Sequence, residues 1–139
     1  MRAVFELAKR HGSGPVKAAQ VAEAQYIPVR FLENILNQLR QAGIIESVRG
    51  KEGGYRLSRA PQEISVGEVI RLVQGAVSEI ECAGATGDAA CALQTGCVLL
   101  PMWQKAHHAM MDVFDGTSFE DLVDQEIESN ECETFNYAI

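Results

Sequence analysis

The sequence predicts a mainly α-helical protein that carries one small β-hairpin. Two features predict this fold class: apolar residues recur at helical spacing in several segments, and one alternating segment is interrupted by the glycine-rich run GKEGG. The length of 139 residues, 47% of them hydrophobic, suits one domain, or one small domain with an extension.

The N-terminal third of the chain predicts three helices. Met1–Lys9 and Val16–Glu23 are short helical patterns on either side of the loop HGSGP. A longer helix is predicted from Pro28, as its first residue, to about Ala42, and Gly43 ends it. Its apolar stripe follows the i, i+3, i+4, i+7 spacing and consists of Leu32, Ile35, Leu36 and Leu39.

A β-hairpin and a fourth helix are expected next. The segments IIESVRG and GYRLSR alternate as strands do on either side of GKEGG, so glycines would form the tip of the hairpin. Ser65 and Glu68 form a predicted capping box at the start of a helical segment, Ser65–Val73.

The C-terminal half predicts a long loop and a long helix. Regular periodicity disappears from about Gly75 to Leu99, and a loop of this length indicates a functional or disordered segment. One wide apolar stripe then covers Leu99–Phe114. Thr117 and Glu120 are expected to cap a short last helix, and the acidic tail 124–139 is expected to be mobile.

Charge is divided between the two halves of the chain. Residues 1–60 carry ten Lys/Arg and five Asp/Glu, a net charge of +5. Residues 61–139 carry two Lys/Arg and fourteen Asp/Glu, a net charge of −12, so the whole chain has a net charge of −7. The basic half suits contact with phosphate, but charge alone does not distinguish that role from ordinary solvation.

The order of the N-terminal elements is that of a winged helix-turn-helix, in which the second helix of a pair enters the DNA major groove. The outward face of that helix carries groups able to bond base edges, namely Arg30, Asn34 and Asn37. The hairpin carries three cations that suit phosphates, namely Arg49, Lys51 and Arg56. A small α+β domain whose polar face meets only water is the alternative that the pattern leaves open.

The segment IPVRFLENILNQLRQAGIIESVRGKEGGYRLSRAPQEISVGEVI strongly resembles the winged-helix regulators typified by IscR and NsrR. The run SVRGKEGGYRL and the helix before it are specific to that family, and the resemblance extends over most of residues 3–123. It implies a homodimer that binds a roughly palindromic double-stranded DNA operator through the third helix and the hairpin wing. The residues then expected at the DNA are Pro28, Val29, Arg30, Phe31, Glu33, Asn34, Arg49, Lys51 and Arg56.

The resemblance also divides the chain and marks departures from the family. The expected parts are a winged helix-turn-helix domain (1–75), a cysteine-bearing loop (76–98), a dimerisation helix with a short last helix (99–123) and an acidic tail (124–139). RAVFELAKR matches the middle of the family's first helix, so the start of that helix is expected to be missing. Tyr26 stands where the family commonly has a glycine, so we expect a reshaped turn there if the backbone needs a positive φ.

Three of the four cysteines, Cys82, Cys91 and Cys97, lie in the run CAGATGDAACALQTGC. Thiolates bind iron–sulfur clusters and zinc, and the small residues between them leave the backbone free to bend around a metal. A cytoplasmic location disfavours a disulfide, and the absence of a CxxC pair disfavours a zinc ribbon. Three unligated thiols remain the alternative.

Cluster-binding members of the family place three cysteines in this part of the chain; the interval between the second and third cysteines matches the family, whereas the first, of eight residues, is longer than in its best-known members. The resemblance therefore implies an iron–sulfur cluster, of the two-iron or four-iron type, held by Cys82, Cys91 and Cys97. The fourth ligand is open because Leu100 stands where IscR-like members have a histidine. The candidates are Glu81, Cys132, a residue missing from the N-terminus, or a small molecule.

Together these features predict a regulator and exclude other classes of protein. Nothing resembles a signal peptide, and no apolar run approaches the roughly 20 residues that cross a bilayer, so we expect a cytoplasmic protein without membrane contact. No nucleophile–base constellation or phosphate-binding loop indicates an enzyme. The prediction is a homodimeric transcription factor that senses iron–sulfur, redox or nitric-oxide status. The alternatives are a cluster-free winged-helix regulator of cysteine or sulfur metabolism, and an iron–sulfur electron carrier.

Overall fold

The computed structural model describes residues 1–50, 52–74 and 96–136, without the side chains of residue 74 and residues 131–136. Within these ranges the chain forms six α-helices and one antiparallel hairpin, which confirms the predicted fold class. The helices are α1 (Arg2–Lys9), α2 (Ala18–Ala24), α3 (Val29–Gln41), α4 (Val66–Gln74), α5 (Leu100–Gly116) and α6 (Phe119–Asn136). The strands are β1 (Ile45–Val48) and β2 (Gly54–Leu57), and a short 3-10 turn, Pro61–Glu63, precedes α4.

The apolar stripe of α3 lies at the centre of the core. Leu32, Leu36 and Leu39 are fully buried and Ile35 is half-buried, as the spacing predicts. The other helices supply further fully buried side chains, among them Val4, Leu7, Val21, Val69 and Phe119. Burial of one leucine side chain contributes roughly 1.5–3 kcal/mol, so the three leucines are sufficient to fix which face of α3 points outward.

α3 begins one residue later than the sequence predicts. Val29 is its first helical residue, and Pro28 precedes it with φ −57° and ψ 129°. That ψ lies outside the helical range, so Pro28 stands at the N-cap. Its carbonyl accepts hydrogen bonds from the backbone N–H groups of Phe31 (3.0 Å) and Leu32 (2.9 Å), so the proline still forms part of the first turn.

The predicted hairpin forms in a register that pairs Ile45 with Leu57 and Val48 with Gly54. Ile45 and Leu57 are both buried, so one end of the hairpin belongs to the core. Gly50 in the tip has a φ of 119°, a backbone conformation that glycine adopts without strain. The hairpin tip therefore depends on glycine, as the run GKEGG predicts.

The loop before α2 attaches the hairpin to the helices. Val16 and Tyr55 exchange two backbone hydrogen bonds of 2.8 Å and form a β-bridge. A side chain at Gly54 would lie 2.5 Å from the backbone oxygen of Val16, so this close approach requires a glycine. The position of the hairpin relative to the helix pair is thereby fixed.

The start of α4 differs in part from the predicted capping box. The Ser65 hydroxyl accepts a hydrogen bond from the Glu68 N–H (3.2 Å), as expected for an N-cap. The Glu68 carboxylate accepts a hydrogen bond from Arg59 (2.6 Å), a residue just after β2. The acid at the third position of the helix thus ties α4 to the end of the hairpin.

α6 is longer than predicted and is capped one residue later. The capping pair is Ser118 and Asp121: the Asp121 carboxylate accepts from the Ser118 N–H (2.8 Å) and the Ser118 hydroxyl accepts from the Asp121 N–H (3.1 Å). The predicted caps, Thr117 and Glu120, do not form this pair. The helix continues past residue 123 because it packs along α1, where Lys9 and Glu126 form an ion pair of 2.5 Å.

α5 lies on the surface of the protomer with none of its residues buried. Its apolar stripe includes several exposed large side chains, namely Met102, Trp103 and Val113, with Leu99 just before the helix. Its far end is joined to the rest of the protein by a hydrogen bond of 2.9 Å from the Val66 N–H to the Thr117 carbonyl. Of the helices in the described ranges, none combines the length and the apolar character that crossing a lipid bilayer requires.

Candidate nucleic-acid interface

The outward face of α3 collects the polar residues that the sequence predicts. Arg30, Glu33, Asn34 and Asn37 are all exposed, whereas the leucines of the opposite face are fully buried in the core. These side chains include donors and acceptors that match base edges in a major groove. Helix α3 therefore presents a polar surface that could contact base edges, and the buried leucine stripe fixes its orientation.

The first turn of α3 exposes apolar side chains as well. Phe31 is 61% exposed and Val29 is 45% exposed, on either side of Arg30. Pro28, directly before the helix, is exposed too. The structure thus brings all six predicted α3 residues, from Pro28 to Asn34, to one exposed end of the helix.

The turn between α2 and α3 keeps a left-handed residue at Tyr26, whose φ is 51°. We expected a reshaped turn because a tyrosine is strained in this conformation, and that expectation is wrong. The turn is held by a hydrogen bond of 2.9 Å from the Ile27 N–H to the Ala22 carbonyl, so the flanking backbone imposes the conformation. A left-handed conformation costs a residue with a side chain about 1–2 kcal/mol.

A buried carboxylate holds this turn against α1. Glu6 is 3% exposed and accepts hydrogen bonds from Arg10 (2.7 Å) and from the side-chain amide of Gln25 (2.9 Å). Gln25 is the residue just before Tyr26, so Glu6 positions the turn that leads into α3. Glu6 is not apparent from the sequence, where its one signal is an acidic residue among the apolar positions of the first helix.

The wing cations differ in their charge environment. Arg49 is exposed just after β1, whereas Arg56 on β2 forms an ion pair of 2.5 Å with Glu46, its cross-strand neighbour. Lys51 lies outside the described residues. Within the parts of the chain that the structure covers, Arg30 and Arg49 form no ion pair, so their charges are available to an anion.

The described part of the cysteine run is Cys97, which is half-exposed. It follows Gly96, whose φ is 90°, and stands three residues before α5 begins. Cys82, Cys91 and Glu81 lie outside the described residues, as does the side chain of Cys132 in α6. Among the described residues no three His, Cys, Asp or Glu side chains form a group that could hold a metal ion.

A bidentate ion pair joins α4 to α5. The Arg71 guanidinium contacts both carboxylate oxygens of Asp115, at 2.7 and 3.0 Å. This hydrogen-bonded pairing lowers the pKa of Asp115 below its usual value. Asp115 also lies against Gly67, where an added side chain would collide with its carboxylate. The two helices on either side of the cysteine run are thereby held together.

The fold is that of a winged helix-turn-helix protein of the nucleic-acid-binding class. Three features define it: the paired helices α2 and α3, the exposed polar face of α3, and the attached hairpin. The model of the Rrf2 family, described as iron-dependent transcriptional regulator, matches residues 1–125. The chain belongs to the Rrf2 family of transcriptional regulators, which is not a family of enzymes.

The relatives include proteins named IscR and proteins named CymR. The transcriptional regulator IscR of Aliivibrio salmonicida is 37% identical over 127 residues, which cover 91% of this chain and 74% of that protein. The solved structure of T. potens IscR has a TM-score of 0.75 at 31% identity and covers 92% of this chain and 82% of its own. The structure of CymR, titled the global cysteine regulator of B. subtilis, has a TM-score of 0.72 at 33% identity, with 88% of each chain covered.

Replacing Tyr26 with glycine should stabilise the protein. We expect Tyr26→Gly to raise the free energy of unfolding by about 0.5–1 kcal/mol, because glycine removes the left-handed strain but increases the entropy of the unfolded chain. Urea denaturation measures the change. Tyr26→Ala is the matched control: it removes the ring, which is 92% exposed, but keeps the strain. An equal gain in both variants would contradict the backbone explanation.

Proposed function

We propose that this chain is a homodimeric, DNA-binding transcriptional regulator that senses iron–sulfur, redox or nitric-oxide status through a cluster held by Cys82, Cys91 and Cys97. The observation that carries the DNA-binding part is the outward face of α3, which exposes polar side chains while its opposite face is buried. Arg30 and Arg49, unpaired within the described residues, would find their counter-ions on the phosphate backbone.

The base contacts follow from the chemistry of the exposed side chains. An arginine such as Arg30 donates two hydrogen bonds to guanine, an asparagine such as Asn34 pairs with adenine, and a glutamate such as Glu33 accepts from cytosine. Arg49 and Lys51 in the wing would contact phosphates, since wing residues lie beside the groove that the helix enters. Arg56 would contribute less, because Glu46 already neutralises its charge.

The apolar stripe of α5 is the proposed surface between two copies of the chain. None of the residues of this helix is buried within the protomer, although Met102, Trp103 and Val113 are large and apolar. Burying such a stripe against its twin would remove it from water, and a two-fold axis would place two α3 helices at two half-sites. The half-sites would then form a roughly palindromic operator.

Three thiolates are a donor set that suits an iron–sulfur cluster, and Cys97 is half-exposed at the entrance to α5. The iron-dependent description of the family and the IscR relatives support this assignment. When bound, the cluster supplies a centre that reacts with oxidants and nitric oxide. Cys97 would move the start of α5, and the Arg71–Asp115 ion pair would convey that movement to α4 and the DNA-binding part.

A cluster-free regulator of cysteine metabolism is the second candidate. The observation that favours it is the likeness to CymR, at a TM-score of 0.72 and 33% identity over 88% of the chain. In that case the cysteine run would hold no cluster, and α3 and the wing would still bind DNA.

Arg49→Ala should weaken DNA binding more than Arg56→Ala. Removing a phosphate contact lowers the slope of log K against log salt by about 0.9, and we expect that change for Arg49. Arg56→Ala is the matched control in the same hairpin, and we expect a smaller change because Glu46 shares its charge. Fluorescence anisotropy across a salt series measures both variants. An unchanged slope in Arg49→Ala would contradict the wing assignment.

Met102→Glu should dissociate the dimer. Met102 is exposed in the protomer and lies on the apolar stripe, so a buried charge at the twin surface would disfavour association without unfolding the chain. Sedimentation velocity should show a dimer for the unmodified protein and a monomer for Met102→Glu. Gln104→Glu introduces the same charge on the opposite side of α5 and should remain dimeric. Equal behaviour of the two variants would rule out this surface.

Anaerobic reconstitution with iron and sulfide should give a visible absorption band that is lost in Cys97→Ser. Cys132→Ser is the comparison: Cys132 lies in the acidic tail outside the three-cysteine run, so we expect the band to remain, and its loss would identify Cys132 as the fourth ligand. A colourless protein that binds DNA unchanged would favour the cluster-free regulator. A coloured protein that binds no DNA would favour an electron carrier and contradict the proposed function.

A further inference from the structure

We infer that the apolar side chains at the start of α3, Val29 and Phe31, read the 5-methyl groups of thymine in the major groove. Operators of this protein would then carry thymine where the first turn of α3 meets the duplex. The inference rests on the proposed function, because it requires that α3 enters the groove.

The first observation is the exposure of these two side chains within an otherwise well-ordered amphipathic helix. Phe31 is 61% exposed and Val29 is 45% exposed, although the same helix buries three leucines completely. Exposed aromatic side chains forfeit the stabilisation that burial would give them. Phe31 lies off the apolar stripe of α3, where core packing offers no reason for it, and Val29, three residues before Leu32, leaves nearly half of its surface uncovered.

The second observation is where this first turn lies. In helix-turn-helix proteins the N-terminal residues of the recognition helix contact base edges, and Val29 and Phe31 are the first and third residues of α3. The Phe31 N–H donates to the Pro28 carbonyl at 3.0 Å, so the backbone that carries the ring is fixed. Glu6 and Gln25 hold the preceding turn against α1.

The surroundings of the two side chains indicate what covers them. Arg30 lies between them and forms no ion pair among the described residues, so the first turn of α3 suits an anionic partner rather than an apolar protein surface. The polar face of α3 continues directly from the same turn. An occupant must therefore be a polyanion that offers apolar groups, and a DNA major groove meets that description through thymine.

Thymine is the one DNA base that places a methyl group in the major groove. At the neighbouring position cytosine presents an amino donor, and purines present hydrogen-bonding groups. An apolar side chain packed on such a group would leave it without a partner, which is unfavourable. Phe31 and Val29 would therefore favour thymine through its methyl group, which is the apolar group that distinguishes it from the other bases in this groove.

The experiment begins with in vitro selection by the full-length chain from a randomised duplex library. We expect thymine at matched positions of both half-sites. The selected duplex is then synthesised with deoxyuridine at those positions, which keeps the base pairing and removes only the methyl group. We expect the dissociation constant to rise about fourfold for each methyl group lost, which corresponds to the free energy of burying one carbon group.

The double variant Val29→Ala/Phe31→Ala should bind the thymine and deoxyuridine duplexes equally well. Both side chains are exposed, so its urea unfolding should match that of the unmodified protein. Arg49→Ala is the control: it should weaken both duplexes and keep the difference between them.

Three outcomes would overturn the inference. These are selected half-sites without thymine at matched positions, equal binding of both duplexes by the unmodified protein, or a difference that persists in the double variant. In each of them the protein still selects and binds an operator, so the proposed function stands. Failure to select any duplex would overturn both, and is thereby distinguished from failure of thymine reading alone.

Discussion

The complete burial of three leucines on one side of α3 is the constraint on which the rest of the structure depends. Each contributes roughly 1.5–3 kcal/mol, so the loss of any one of them would remove a substantial share of the roughly 5–15 kcal/mol of net stability of a typical domain. The face that carries Arg30 and Asn34 is exposed because the leucines on the opposite face are buried in the core. The proposed contact with DNA therefore depends on the burial of the leucine stripe, which orients the polar face of α3 outward.

Elements that depend on local patterns were predictable from the sequence. The leucine stripe of α3, the hairpin around its glycine tip and the Ser65 cap of α4 all follow from residues within a few positions of one another. The exposed set from Pro28 to Asn34 could be predicted for the same reason, since helical spacing alone divides a helix into two faces. Its role at DNA came from the family resemblance, and stays a prediction.

Features that depend on long-range contacts could not be predicted. The length of α6 depends on packing along α1 and on the ion pair between Lys9 and Glu126, which are far apart in the chain. The left-handed φ of Tyr26 runs against the preference of the residue, and the surrounding turn imposes it. Glu6 is another case, because its partner Gln25 becomes its neighbour only after α1 and α2 have packed.

Gly67 in α4 leaves room for the Arg71–Asp115 ion pair that links α4 to α5. The carboxylate of Asp115 occupies the space that any side chain at this position would need, and the same carboxylate holds Arg71 by two bonds. A β-carbon at position 67 would collide with a carboxylate oxygen of Asp115, so the Asp115 side chain would have to move. An alanine there would displace the Asp115 side chain from its present position, so one residue can alter the link between α4 and α5 without any change to the surface proposed to contact DNA.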